Sequence, residues 1–314
     1  MGHRLLLVCS VGGHLTEAMH LVEDLDDIDE IHWATPDTGP SRTLLTGEAV
    51  WPITNVGPRE LGKTLALFPL ARKLIAQLQP TVVISTGASP AIPFLVVAAI
   101  RGIPAHFVES LTRIDAPSLT GRLLASVPTI RCYSHYDNFG GRWLRIGSQF
   151  DSYEVQTGLG HVPIRRVVVT VGTLRDYPFR SLVERLLEIL PQDAEVLWQT
   201  GSTHVDDLPI DGRELVPADE MRRAMRDADL IVGHAGCGTT LDALAAGNLP
   251  LLVPRRSARG EHADDHQAQL AEHLAARGLA IVAESEELTT EHLQRAADGA
   301  ATRVDGKVPL ALAL

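Results

Sequence analysis

Short apolar runs bounded by Gly, Pro or polar residues alternate along this chain with segments whose apolar residues recur at helical spacing. That alternation predicts parallel strands joined by crossover helices, an α/β architecture. In the first half, residues 4–9, 30–34, 81–85, 105–108 and 129–132 read as strands and 16–25, 65–78 and 91–101 as helices. After a less regular stretch, 147–163, the pattern restarts with strands at 166–171, 195–199, 230–232, 250–253 and 280–282 and helices at 179–190, 219–227, 239–246 and 265–277. The expectation is two doubly wound, Rossmann-like domains in series, residues 1–158 and 159–314. Domains of this kind bind ligands at the carboxyl ends of their strands, and two facing each other would do so across a cleft.

Composition narrows the function classes. The 314 residues suit two domains, and a formal charge of -11 argues against a nucleic-acid partner, which needs clustered Lys and Arg. Three scattered cysteines, Cys9, Cys132 and Cys237, make no disulfide framework and point to a reducing, cytoplasmic setting. The apolar run 5–8 reads as a buried strand rather than a signal peptide, and the longest apolar run, 92–100, falls short of a membrane span. Membrane contact would then be peripheral. One helical face with Leu61, Leu65, Phe68, Ile75 and Leu78, flanked by Arg59, Lys63, Arg72 and Lys73, fits an interfacial helix or a core helix with solvated basic edges.

Several strand-to-helix turns carry candidate chemistry. The first strand ends at Gly12-Gly13-His14, where paired glycines allow close approach of a ligand to a helix start. His14 can act there as a general base or simply cap the helix. Ser85-Thr86-Gly87 forms a second such turn, suited to a phosphate or to an ordinary connection. Glu109, followed by Ser110 and Arg113, lies just past a strand end. It can orient His14, bind an acceptor hydroxyl, serve as the base, or pair with Arg113.

In the second half, Gly172-Thr173 is a third phosphate candidate. The run His234-Ala235-Gly236-Cys237-Gly238-Thr239-Thr240-Leu241-Asp242 joins a strand to a helix through small residues. It can leave room for a diphosphate at the helix start, with the threonines as donors and Asp242 able to accept from a ribose diol, or it can simply let the helix pack closely on its strand. A polar loop after Pro254-Arg255-Arg256 ends in Asp265-His266-Gln267, suited to a sugar. His262, Asp264, Asp265 and His266 lack a recognised metal spacing, so no metal is expected.

Taken together, these segments resemble the GT-B glycosyltransferases of family 28, the group containing MurG, and more closely the Alg14/Alg13 and PssD/PssE pairs, here fused in one chain. The first half carries Gly12-Gly13-His14, Ser85-Thr86-Gly87 and Glu109-Ser110 through Arg113; the second carries Gly172-Thr173, His234-Ala235-Gly236 and Asp265-His266-Gln267. The resemblance implies a UDP-sugar donor in the second domain and a lipid-linked acceptor at the first. Gly172, Thr173, His234, Ala235, Gly236, Gly238, Thr239, Thr240, Asp242, Asp265, His266 and Gln267 would hold the donor. Gly12, Gly13, Thr86, Gly87, Ser110 and Arg113 would serve the acceptor, with His14 or Glu109 as base. Asp242 stands where the family usually carries a longer Glu.

The implied reaction is metal-free, inverting transfer of a hexose-type sugar in polysaccharide or glycolipid synthesis, at the inner face of the plasma membrane. A UDP-sugar 2-epimerase and a non-catalytic sugar-nucleotide-binding subunit are the rival readings.

Overall fold

Leu5, Leu6, Leu7 and Val8 are wholly buried, as a strand covered on both faces requires. The computed structural model describes residues 2–23, 25–57, 60–160, 162–173, 177–261 and 265–304. It divides into two units that change over at Gln149 and Phe150.

The first unit runs β1 (His3–Val8), α1 (Gly13–Glu23), β2 (Ile28–Pro36), α2 (Gly39–Leu44), β3 (Ala49–Ile53), α3 (Leu61–Ala66), α4 (Phe68–Leu78), β4 (Val82–Ser85), α5 (Ala91–Ile100), β5 (Ala105–Val108), α6 (Leu119–Ala125), β6 (Ile130–Ser134) and β7 (Trp143–Arg145). Its parallel strands lie in the order β3-β2-β1-β4-β5-β6-β7. Alternation along β1 assigns the two faces. Leu5 and Leu7 pack with Leu15, Ala18 and Leu21 of α1, whereas Leu6 and Val8 pack with Leu74 of α4 and Phe94 of α5.

The second unit runs β8 (Tyr153–Gln156), β9 (Arg166–Thr170), α7 (Arg180–Ile189), β10 (Glu195–Gln199), β11 (Gly212–Arg213), α8 (Ala218–Asp227), β12 (Leu230–Gly233), α9 (Cys237–Ala245), β13 (Leu251–Leu252), α10 (His266–Ala276), β14 (Ile281–Val282), α11 (Thr290–Ala297) and β15 (Ala300–Arg303). Its parallel sheet has the order β11-β10-β9-β12-β13-β14, with β8 and β15 forming a separate antiparallel pair. That pairing ties residues 153–156 to the second unit, ahead of the change at 158 read from the pattern. Val167 and Val169 face α7 and α11, and Val168 faces α8 and α9.

In both sheets the chain starts in the middle, winds outward one way and then the other. Strand order therefore reverses between β1 and β4 in the first unit and between β9 and β12 in the second. The carboxyl ends of strands flanking such a reversal form a crevice where open α/β sheets take ligands.

The helix expected over 65–78 is two helices, α3 and α4, that change over at Leu67. Pro69, in the first turn of α4, has no N–H to continue a preceding helix and fixes the new start. Ile75 lies in the core and Phe68 and Leu78 pack against it, while Leu61 and Leu65 are each 63% exposed. Arg59 lies outside the described residues. Among the described residues no helix is long and apolar enough to cross a membrane. The three cysteines are buried, and burial pushes the Cys9 and Cys132 thiols up to about 12.

Candidate functional site

In the first unit, the turns after β1 and β4 meet at the strand-order reversal. The Gly12 carbonyl accepts the Leu15 and Thr16 amides at 3.0 and 3.2 Å, so α1 begins at Gly13, earlier than the periodicity predicts. His14 thereby falls in the first helical turn. Its Nδ1–H donates to the Thr86 carbonyl at 3.0 Å, and the Thr86 hydroxyl donates back to the His14 carbonyl at 2.8 Å. A carbonyl can only accept, so this bond fixes the tautomer and leaves Nε2 with the lone pair. Burial, then the charge of Arg113, lowers the His14 pKa against the opposing effect of the Thr86 bond, which keeps the ring neutral at physiological pH. Gly87 allows the ring its place: at φ +128°, a Cβ there would stand 2.8 Å from His14 Cε1.

Glu109 follows β5 and is 2% exposed. Its carboxylate accepts the Ser110 amide at 3.2 Å and the Ser118 amide at 2.8 Å, which anchors the chain entering α6. Burial raises its pKa, partly offset by the Ser118 and Ser110 hydrogen bonds and by Arg113. Both oxygens are thus occupied by the loop, whereas the His14 tautomer presents an open lone pair.

The Ser110 hydroxyl donates to Glu17 Oε1 at 2.7 Å. Glu17, one turn after His14 on α1 and 4% exposed, is a member of this cluster that pattern reading passed over. The available signal was a carboxylate three residues after the histidine, on the buried side of an amphipathic helix. Gly13 lies exposed at the mouth of the turn and Arg113 half-buried beside it.

In the second unit, β9 and β12 are parallel neighbours with Thr170 opposite Gly233. The turns that follow them are brought together by one imidazole. His234 Nδ1 donates to the Thr170 carbonyl at 3.3 Å. A Cβ on Gly172, at φ +84°, would lie 2.8 Å from His234 Nε2, and a Cβ on Gly236 would collide with the same atom. A side chain at either glycine would have to displace this ring. Ala235, between them, is wholly buried at φ +58°, a left-handed conformation that is costly for a side-chain-bearing residue.

Gly236 caps α9, whose first-turn amides have no intrahelical acceptor. The structure separates the two threonines. Thr240 is wholly buried and its hydroxyl donates to the Gly236 carbonyl at 3.0 Å, so it braces the helix start instead of facing a ligand. Thr239 and Asp242 are half-buried and Gly238 is buried; a Cβ on Gly233 would stand 2.8 Å from Thr239 Cγ2, so the Thr239 methyl lies against β12.

Asp265 stands at the N-cap position of α10, but its carboxylate accepts the Ser257 amide and hydroxyl, both at 3.0 Å, and so folds the preceding loop. His266 is half-buried beside Gln269, at 3.3 Å. Gln267 is 6% exposed and its Oε1 accepts the Arg255 amide at 3.2 Å, which orients the side-chain NH2 as the remaining donor. Thr173 is half-buried at the end of its turn. Of the residues weighed as metal ligands, His262 and Asp264 lie outside the described residues.

Comparison with known proteins places these sites in context. Residues 166–302 match the model of the glycosyltransferase family 28 C-terminal domain. An Ectopseudomonas mendocina protein named "UDP-N-acetylglucosamine--N-acetylmuramyl-(pentapeptide) pyrophosphoryl-undecaprenol N-acetylglucosamine transferase" is 27% identical over 309 residues, covering 90% of this chain and 84% of its own. A Paracidovorax citrulli protein of the same name is 28% identical over 318 residues, covering 92% and 87%. The crystal structure of Acinetobacter baumannii MurG superposes with a TM-score of 0.58 at 22% identity, over 93% of this chain and 88% of that one.

Proposed function

We propose that this chain, which has the GT-B fold, is a MurG-like glycosyltransferase of family 28 that transfers a hexose-type sugar from a UDP-sugar to a hydroxyl of a lipid-linked, polyprenyl diphosphate acceptor. The observation that carries the donor half is the His234 ring packed between Gly172 and Gly236 at the β9/β12 reversal, beside the start of α9. Open amides and a helix dipole there suit a diphosphate. Asp242 would take the ribose diol and the NH2 of Gln267 a hydroxyl of the sugar. N-acetylglucosamine is the sugar in the names of the relatives and the first donor to try.

In the proposed reaction the acceptor hydroxyl attacks the anomeric carbon while its proton passes to His14 Nε2. The bond to the diphosphate breaks, UDP leaves, and configuration inverts. Donors at the α9 start would stabilise the charge growing on the leaving group. The fixed tautomer and neutral state of His14 support its role as base. Glu109 holds the acceptor-side loop in this reading, with Ser110, Arg113 and the Gly12-Gly13 and Thr86-Gly87 turns lining it. The exposed Leu61 and Leu65 on α3, with exposed Arg72 and Lys73 on α4, support peripheral attachment to an anionic membrane surface. Polysaccharide or glycolipid synthesis on the cytoplasmic face of the membrane is the setting that fits.

The test is incubation of the purified chain with labelled UDP-sugars and a polyprenyl-diphosphate-linked sugar in vesicles. Label moving to the lipid with stoichiometric UDP release is the expected result. An epimerised UDP-sugar formed without acceptor would replace transfer with epimerisation, and no turnover without a second polypeptide would make the chain a binding subunit.

A further inference from the structure

Three arginines follow Pro254 in one loop, and their surroundings set one apart. Arg256 pairs with Glu284 at 2.6 Å, and Arg259 lies 3.5 Å from both Glu284 and Glu286. Their charges are met by carboxylates. Arg255 is 1% exposed and heads the fully buried side chains in size. Its Nη2 donates to the Val171 carbonyl, and its guanidinium carbon lies 5.5 Å from the centre of the Phe179 ring. Nε and Nη1 have no hydrogen-bond partner among the described residues. Glu261, the carboxylate that bears on this charge, is occupied by the Ser181 hydroxyl and the Arg256 amide. Burial pulls the Arg255 pKa down to about 10, which still leaves a cation at neutral pH.

A buried cation with open donors is costly and is relieved by an anion nearby. Its position indicates which anion. Val171 leads into the Gly172-Thr173 turn that lies against His234. A donor on the Val171 carbonyl polarises the peptide that carries the Gly172 N–H, making that N–H a stronger donor. The Arg255 amide meanwhile holds Gln267 Oε1 at 3.2 Å. One residue thus grips the phosphate turn through its side chain and the sugar-facing glutamine through its backbone.

We propose that Arg255 is a positioning residue for the donor diphosphate: it sets the 171–173 turn and Gln267 in one geometry and lends that turn a positive potential. This inference rests on the UDP-sugar reading above. The test compares binding of UDP and of uridine, which lacks phosphate, by calorimetry on the full chain. Arg255→Met and Arg255→Gln should weaken UDP by about tenfold or more and leave uridine unchanged, with melting temperatures at or above the parent's because an unpaired buried charge is gone. Arg255→Lys, which keeps the charge, should hold the UDP-to-uridine ratio within about threefold of the parent.

A folded neutral variant with the parent ratio, or a lysine variant as impaired as the neutral ones, overturns the proposal. If neither neutral variant folds, the lysine variant decides by the same ratio. If the parent itself binds no UDP, the functional reading fails and not merely the role of Arg255.

Discussion

His14 owes its chemistry to one backbone contact. A histidine at a helix start has two tautomers and an ordinary pKa of about 6.5; the Thr86 carbonyl selects one tautomer and burial moves the pKa down. A base works only when deprotonated, so kcat/KM should rise with pH through the His14 pKa and level off, with the acid limb lying below about 6.5. His14→Ala should lower kcat by about 10^2 to 10^4, leave UDP affinity untouched and abolish that limb. A limb that persists in the residual activity of the variant would assign the base elsewhere, and Glu109 is the next residue to replace.

At the scale of elements, the donor site is a contact between two turns, and its tolerance is set by the space around one ring. Gly236→Ala pushes a methyl group into His234 Nε2 and must displace the ring from between the two turns. The expected outcome is UDP binding weakened by about tenfold, or about 1.4 kcal/mol; parent-like affinity in that variant would dissociate His234 from the phosphate site.

The elements themselves were largely legible in the sequence because apolar runs such as 5–8 and 167–171 are long and sharply bounded. What escaped was set by tertiary contact. The break between α3 and α4 depends on Pro69 falling in a first turn, and α6 and α11 are too short to announce a period. Nothing in the composition of Thr239-Thr240 tells which side chain is wholly buried, since that depends on the helix beginning at Cys237. The candidate site was legible as a set of turns, and Arg255 was visible only as part of a polar loop. Its burial follows from the return of that loop under the Val171 turn, a contact 84 residues long in sequence.

At the scale of the whole molecule, two sheets of the same winding each place their chemistry where strand order reverses, the first around His14 and the second around His234. The duplication has a chemical consequence through the cysteines. Two buried thiols, Cys9 and Cys132, belong to the first unit, and the third, Cys237, is the first residue of α9, 2% exposed and next to Gly236. A thiol reagent reaches such groups only when their surroundings open, so modification reports local opening of each half separately. UDP at about ten times its Kd should slow labelling of Cys237 by roughly tenfold while Cys9 and Cys132 react at their original rates. Equal protection of all three would mean that the ligand tightens both halves together. The chain thus carries its own native probes, one set in each half, for asking which half a substrate has closed.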